Sequence, residues 1–419
     1  MINQLDGITV LRFTKAFQSG GGIEQYLDDL DRMLLKRNKA TIIRTYLERE
    51  SKFGEAMTRE TGQGSLVEIP CPFTVGTLSD SIYNVNRDEQ SKSPSKRPSP
   101  RRGLYQIRNA AEKLRKLHAQ YKVDLLVMHY LGTVDSLEIM QESKKLKIPS
   151  IFINHFSNSY FNDLSISDQL HYCSGIAGVA GIGVPKRLKK WFRNLSDGID
   201  MEVFNPAQAR PPEIERDIPI IFYPARILRL KGQHDVISAC AALRNEGLRA
   251  KIVFAGRTDS AEYEEELRGL VSQNGLTDDV LFTGQLNQQE VRDWHGVSSV
   301  MPFPTYHQEG LGRVLIEAQA MKVPPVAYMI GGTPEGIVHG KTGFLVRKGD
   351  VKTFTSRLRE LLTDEKKRKA MGEEGRIFVQ KHFSLEALAD RHERYYSLIL
   401  SNARKPTPYR TSPAENETP

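Results

Sequence analysis

The chain is poor in cysteine, with Cys71, Cys173 and Cys240 scattered over 419 residues. Three distant thiols exclude a disulfide framework and offer no closely spaced zinc pair, so a reducing cytoplasm is expected. Long apolar runs are also lacking. No stretch approaches the roughly 18 consecutive apolar residues of a membrane-spanning helix. The opening Met1-Ile2-Asn3-Gln4-Leu5-Asp6 has no cationic segment before an apolar run, so no secretion signal is expected. His and Cys positions show no metal-ligand spacing, and no repeat of about 20–50 residues recurs.

What is present suits a globular protein, with 39% hydrophobic and 26% charged residues. The length fits two domains of about 150–200 residues each. Net charge is +8, and much of it is local. Between Ser91 and Lys122 lie Lys92, Lys96, Arg97, Arg101, Arg102, Arg108, Lys113, Arg115, Lys116 and Lys122 against one acid, Glu112. Such a block is either a solvated loop and helix face or an attractor for an anionic membrane surface. Nucleic acid is disfavoured, because no nucleic-acid-binding motif accompanies it.

Short β-branched runs alternate with amphipathic stretches, the pattern of parallel sheets covered by helices. Strands are predicted at Ile8–Phe13, Thr41–Leu47, Leu66–Pro70, Asp124–Tyr130, Ser150–His155 and Ile176–Ile182, with helices at Glu24–Arg37, Leu104–Gln120 and Val134–Leu146. A second series has strands at Pro219–Tyr223, Ala250–Ala255, Val280–Phe282, Ser299–Phe303 and Pro325–Met329. Its helices fall at Gln233–Arg244, Ala261–Ser272, Gln288–His295 and Leu311–Met321, with three more over 351–400. The expected fold class is α/β, with two doubly wound Rossmann-like domains facing each other across a cleft. Residues 1–205 would form one domain, with a mobile basic loop about 87–103, and residues 206–382 the other. A helix over 383–401 would pack back toward the first domain, and 402–419 would be a disordered tail. Ligands in such sheets bind beyond the carboxyl ends of the strands.

Two carboxylates stand eight residues apart in Glu309-Gly310-Leu311-Gly312-Arg313-Val314-Leu315-Ile316-Glu317, between a strand and a helix. On a continuous helix, eight steps leave Glu317 about 80° round from Glu309 and two turns below it. Two acids so placed can grip two polyol fragments, a sugar ring and a ribose. This segment resembles the E-x7-E signature of family 4 glycosyltransferases of the GT-B type. Pro224-Ala225-Arg226-Ile227 with Lys231-Gly232-Gln233 resembles the same family's donor clamp, and Phe254-Ala255-Gly256 and Phe282-Thr283-Gly284 its strand-end turns. Gly331-Gly332-Thr333-Pro334-Glu335, the block 339–346, and Ser196–Asp200 with Phe204-Asn205-Pro206 are similar to its later block and its hinge.

The resemblance implies a retaining, metal-independent hexosyltransferase that uses a nucleotide-sugar, UDP-linked or GDP-mannose. Its acceptor would be a glycan or lipid-linked, in surface polysaccharide or lipopolysaccharide synthesis, in the cytoplasm or at the inner membrane face. No cofactor and no metal are implied. Arg226 and Lys231 would absorb the charge on a departing diphosphate. Glu309 would hold the transferred sugar, helped by the N–H groups of Gly310, Leu311 and Gly312, and Glu317 the ribose. Gly256, Gly284, Gly332 and Thr333 would line the donor pocket through their backbones.

In the first half, Gly20-Gly21-Gly22 follows a strand and permits close backbone approach to a phosphate or acceptor. His129 and His155 end two strands, and the resemblance implies that His129 touches the donor sugar; His155 would line the cleft or pack a loop. The segment Gly336–Thr342 looks like a P-loop but is one residue short and leads into a strand, so it is rejected. Two other classes stay open: a phosphorylase or nucleotide-sugar epimerase of this fold, and a non-catalytic nucleotide-sugar-binding protein.

Overall fold

The computed structural model describes residues 4–14, 22–46, 57–69, 110–156, 158–215 and 217–403. Gly20, Gly21, the basic loop about 87–103 and the tail from 404 fall outside the described residues. The chain divides into two compact units. One takes in Met1–Val179, Val184–Leu195 and Ala389–Pro419, the other Ala180–Gly183 and Ser196–Leu388.

The first unit is built on one sheet. Its strands are β1 (Thr9–Thr14), β2 (Thr41–Tyr46), β3 (Met57–Thr61), β4 (Gly64–Ile69), β5 (Leu125–Met128), β6 (Ser150–Asn154), β7 (Gly175–Gly178) and β8 (Phe192–Asn194), in the order β3-β4-β2-β1-β5-β6-β7-β8. All neighbours pair parallel except β3 with β4, which form an antiparallel hairpin. Strands β1, β5 and β6 are buried along their whole length, as parallel strands covered on both faces must be. Helices α1 (Gly22–Arg37), α2 (Ala110–Tyr121), α3 (Val134–Lys145) and α4 (Leu164–Leu170) connect them. Thr133 starts α3 through a capping box with Ser136, which satisfies N–H groups the first turn cannot pair itself. The strand order reverses between β1 and β5, and that switch point opens a crevice at their carboxyl ends.

The second unit repeats the plan. Strands β9 (Ile220–Pro224), β10 (Lys251–Ala255) and β11 (Val280–Gly284) pair in the order β11-β10-β9. Strands β12 (Met301–Phe303), β13 (Pro325–Met329) and β14 (Phe344–Arg347) pair in the order β12-β13-β14. The two triplets join where Ile221 bridges Val300, Phe222 N–H donating to Val300 O at 3.2 Å and Ser299 N–H to Ile220 O at 2.8 Å. Every pairing is parallel, and the order reverses between β9 and β12. Helices α5 (Gln233–Asn245), α6 (Ala261–Gln273), α7 (Gln288–His295), α8 (Arg313–Ala320), α9 (Val351–Thr363) and α10 (Glu365–Phe383) cover the sheet. Helix α11 (Leu385–Asn402) starts in this unit and continues into the first. The α/β, doubly wound fold class read from the sequence is the one observed.

Candidate functional site

At the switch point of the second unit, β9 ends in Pro224 and delivers Ala225-Arg226. The buried Gln233 side chain donates to Arg226 O at 2.8 Å and fixes the backbone there. The Arg226 guanidinium meets Asp259 at 2.7 Å, yet its side chain stays 53% exposed. Asp259 also accepts from Arg257 at 2.9 Å, so the carboxylate is shared and Arg226 keeps donors to offer. Residues Arg229–Lys231 form one tight turn before α5. Gly232, at φ +73°, lies so close to Pro304 that a Cβ would collide with its carbonyl oxygen. That approach brings the Lys231 turn against the exit of β12. Tyr223 Oη donates to Lys231 O at 2.7 Å, and Tyr306 N–H to Leu230 O at 2.7 Å.

The chain leaving β12 carries Thr305, Tyr306, His307 and Glu309. Lys231 Nζ pairs with a Glu309 carboxylate oxygen, with side chains only 14% and 16% exposed. Burial pushes the His307 imidazole below its ordinary value; the charges of Lys231 and Arg226 add to the fall and that of Glu309 opposes it. Lys231 and Glu309 meet directly, while Arg226 leaves the end of the neighbouring strand with its carbonyl held by Gln233, two residues past Lys231. After Glu309, the N–H groups of Gly310, Leu311 and Gly312 have no hydrogen-bond partner among the described residues. The arrangement thus offers a guanidinium, an ammonium, a carboxylate and a run of backbone donors, a set suited to an anionic, hydroxyl-rich ligand.

Against this geometry, residues 205–378 match the family model for glycosyl transferases group 1. This segment is similar to a group 1 glycosyltransferase domain. The chain is similar to the capsular polysaccharide biosynthesis glycosyltransferase CapM of Staphylococcus aureus, 30% identical over 220 residues, which are 50% of this chain and 54% of that one. A GDP-mannose-dependent alpha-(1-6)-phosphatidylinositol monomannoside mannosyltransferase of Mycobacterium tuberculosis is 32% identical over 206 residues, 46% and 53% of the two chains. The match spans about half the length of these curated relatives. Among solved structures, a glycosyltransferase from Rickettsia africae superposes with a TM-score of 0.69 at 18% identity, covering 94% of this chain and 99% of the other. Anabaena HepE in complex with UDP gives 0.66 at 15%, covering 93% and 100%. Both likenesses are of fold. The resemblance to family 4 glycosyltransferases of the GT-B type therefore holds.

Within the matched segment several expected details differ. Helix α8 begins at Arg313, because Gly312 at φ +84° interrupts any helix from Glu309. The 80° helical arithmetic therefore does not relate Glu309 to Glu317; a loop sets their separation. Glu317 is buried and accepts from Arg313 Nε at 3.1 Å, while Arg313 also reaches Asp197 at 3.4 Å. The spacing of four between Arg313 and Glu317 is a signal sequence reasoning could have used. Gly332 packs so closely that a Cβ would strike Gly310 O, and its N–H donates to Glu309 O at 3.1 Å. Thr333 is fully buried, with its N–H on Ile330 O at 3.1 Å and its hydroxyl on Tyr328 O at 2.9 Å. Gly256 N–H donates to Gly284 O at 2.8 Å. The N–H groups of Gly332, Thr333 and Gly256 are thus committed within the domain, and these residues shape the loops under Glu309 and Arg226.

In the first unit, His129 and His155 follow β5 and β6. His129 is almost fully buried, with Nδ1 2.8 Å from His155 Nε2 and Nε2 3.4 Å from an Arg12 nitrogen. Burial, the neighbouring imidazole and the Arg12 charge hold His129 well below the ordinary histidine range. The expected direct contact of His129 with a sugar finds no exposed ring here; His155 is the more accessible of the pair. Beside His129 lies Arg12, a wholly buried cation in β1 that the sequence hides in an apolar strand. It pairs with Asp31 at 2.7 Å and donates to Tyr396 Oη at 2.9 Å. Asp31 also pairs with Arg44 at 2.7 Å, and Tyr26 Oη meets His392 Nε2 at 2.6 Å. Gly22 is the first residue of α1. Of the basic block, Lys116 pairs with Glu112 at 2.8 Å and Arg115 with Glu142 at 2.8 Å. No helix among the described residues is long and apolar enough to cross a membrane.

Proposed function

We propose that the protein is a retaining glycosyltransferase that moves a hexose-type sugar from a nucleotide-sugar to a glycan or lipid-linked acceptor, without a metal. The observation that carries this is the meeting of Lys231 with Glu309 near the partly exposed Arg226, next to the N–H groups of Gly310, Leu311 and Gly312, which have no partner among the described residues. As the bond between the sugar C1 and the diphosphate oxygen breaks, charge grows on that oxygen. Lys231 would swing from Glu309 to the phosphate and Arg226 would fork onto it, each fixed cation lowering the barrier by about 2.7–4 kcal/mol on the scale known for such donors. Freed from Lys231, Glu309 would accept hydroxyls of the sugar. The acceptor oxygen would form the new bond on the face the diphosphate leaves, its proton passing to the departing phosphate oxygen, so no protein nucleophile is needed. Glu317, oriented by Arg313, would hold the ribose.

A UDP-sugar is the favoured donor, in keeping with the fold likeness to a UDP complex; the GDP-mannose-dependent relatives support the rival. Surface polysaccharide or lipopolysaccharide synthesis is the setting proposed, with CapM as the supporting relative. A thermal-shift screen against UDP-, GDP- and ADP-sugars tests the first step, one base giving a saturable rise in Tm. The anomeric configuration of the product by NMR then tests retention; an inverted centre would overturn the mechanism. Turnover unchanged by EDTA is expected, and a loss restored by a divalent cation would refute metal independence.

A further inference from the structure

A second basic segment, outside both the donor site and the 91–122 block, lies at the edge of the first unit. Lys186-Arg187-Leu188-Lys189-Lys190-Trp191-Phe192-Arg193 runs through a one-turn helix into β8, the last strand of the eight-stranded sheet. Leu188 and Phe192 are buried and anchor the segment, while Lys186, Arg187, Lys189, Lys190 and Arg193 are exposed. Elsewhere on this unit surface cations meet carboxylates, as Lys116 meets Glu112 and Lys145 meets Glu142. None of these five pairs with an acid among the described residues, and no Asp or Glu occurs between Asp168 and Asp197. Arg187 donates to Phe161 O at 2.7 Å and Arg193 to Phe192 O at 3.1 Å, bonds that fix the side chains without cancelling their charge.

Protection of an open sheet edge explains Arg193, which sits on the strand itself. It does not explain four cations gathered before the strand, nor the aromatic ring among them. Trp191 is half-buried, with Lys190 Nζ 5.4 Å from its ring centroid. The Arg187 bond to Phe161 O sets the segment beside the loop leading to Leu164, whose side chain protrudes at 79% exposure. The acid next to that leucine, Asp163, is engaged in capping α4 through Ser165 N–H at 2.9 Å. Uncompensated cations around a Trp and a protruding Leu match an anionic bilayer surface, whose headgroups take the charge and whose interface takes the ring and the leucine. Single-stranded nucleic acid would be better served by several stacking rings in a groove, and of the segment's two rings Phe192 is buried.

We infer that residues 186–193, with Leu164, dock the protein onto an anionic lipid surface. The inference is independent of the donor reading. The full chain is to be floated with vesicles of phosphatidylcholine alone and with added phosphatidylglycerol. Binding to the anionic vesicles only, weakened by salt, is expected. The quadruple variant K186E/R187E/K189E/K190E should lower the partition coefficient by about 10²-fold or more. A control with the same charge change on exposed lysines of the other unit, K348E/K352E/K366E/K381E, should bind like wild type. Lys189→Glu alone, with an unchanged melting curve, should give a several-fold loss and guards against misfolding of the quadruple variant. Equal binding by the patch variant and wild type, equal loss in the control, or tighter binding of a labelled RNA oligomer lost in the same variant would each overturn the proposal.

Discussion

Lys231 and Glu309 neutralise each other, and a diphosphate would have to part them. Lys231→Ala or Glu309→Gln should each cut turnover by about 10²-fold or more, a loss larger than any change in stability from parting the pair accounts for. Steady-state rates with the donor found by thermal shift, beside melting curves of both variants, decide this. Wild-type rates in both would sink the site assignment. The pair was legible because charged groups at strand ends stand out against apolar strands. His307 was not, since nothing in its flanking residues announces an imidazole beside three charges. Asp235 was also missed. Its Oδ2 accepts from Tyr306 Oη at 2.8 Å and Tyr328 Oη at 2.6 Å, and so steadies the loop that carries Glu309. Tyr306→Phe removes one of these donors and should cost about 0.5–1.5 kcal/mol. If the loop matters to the chemistry, kcat should fall beyond what the lost stability explains while the donor KM moves little; an unchanged kcat would make the tyrosine merely structural.

Among the elements, strands of continuous apolar residues and helices with clear caps were readable to within a few residues. Strand β3, Met57–Thr61, was not, because Met-Thr-Arg-Glu-Thr has no apolar face and its pairing with β4 alone makes it a strand. Strand β1 was found, but nothing in its residues announces that Arg12 is wholly buried. The two buried arginines share Asp31, so Asp31→Ala should destabilise by about 3–5 kcal/mol, measurable by urea unfolding, because two desolvated cations lose one partner. Helix α7 carries the opposite case. His295 is buried with both ring nitrogens unpartnered among the described residues, and burial pushes its imidazole down to about 3. In the unfolded chain it would titrate near 6.5. Stability from this residue is therefore fully present above about pH 6.5 and is lost as pH falls toward 3, by up to roughly 1.4 kcal/mol per pH unit. His295→Phe, a ring of similar size, should flatten that acid limb; an unchanged slope would assign it to other groups.

At the scale of the whole molecule, two doubly wound sheets follow from the alternation of short strands and helices, and the sequence carries that pattern almost throughout. Periodicity by itself reports local structure and not which sheet a helix completes, and the helix expected over 383–401 to pack toward the first domain corresponds to α11. Beyond Leu388 it belongs to the first unit, where Tyr395 Oη donates to Ile176 O at 3.3 Å and Tyr396 accepts from Arg12.

The order of synthesis acquires a meaning from that return. A chain emerging from the ribosome makes the sheet of the first unit early, but the helix that closes over Arg12 and Tyr26 only after the whole second unit has been translated. Until then the nascent sheet lacks the helix that brings Tyr396 to Arg12 and His392 to Tyr26. Chains stopped at Leu388 should therefore show an N-terminal half cut quickly by protease and a second unit that resists.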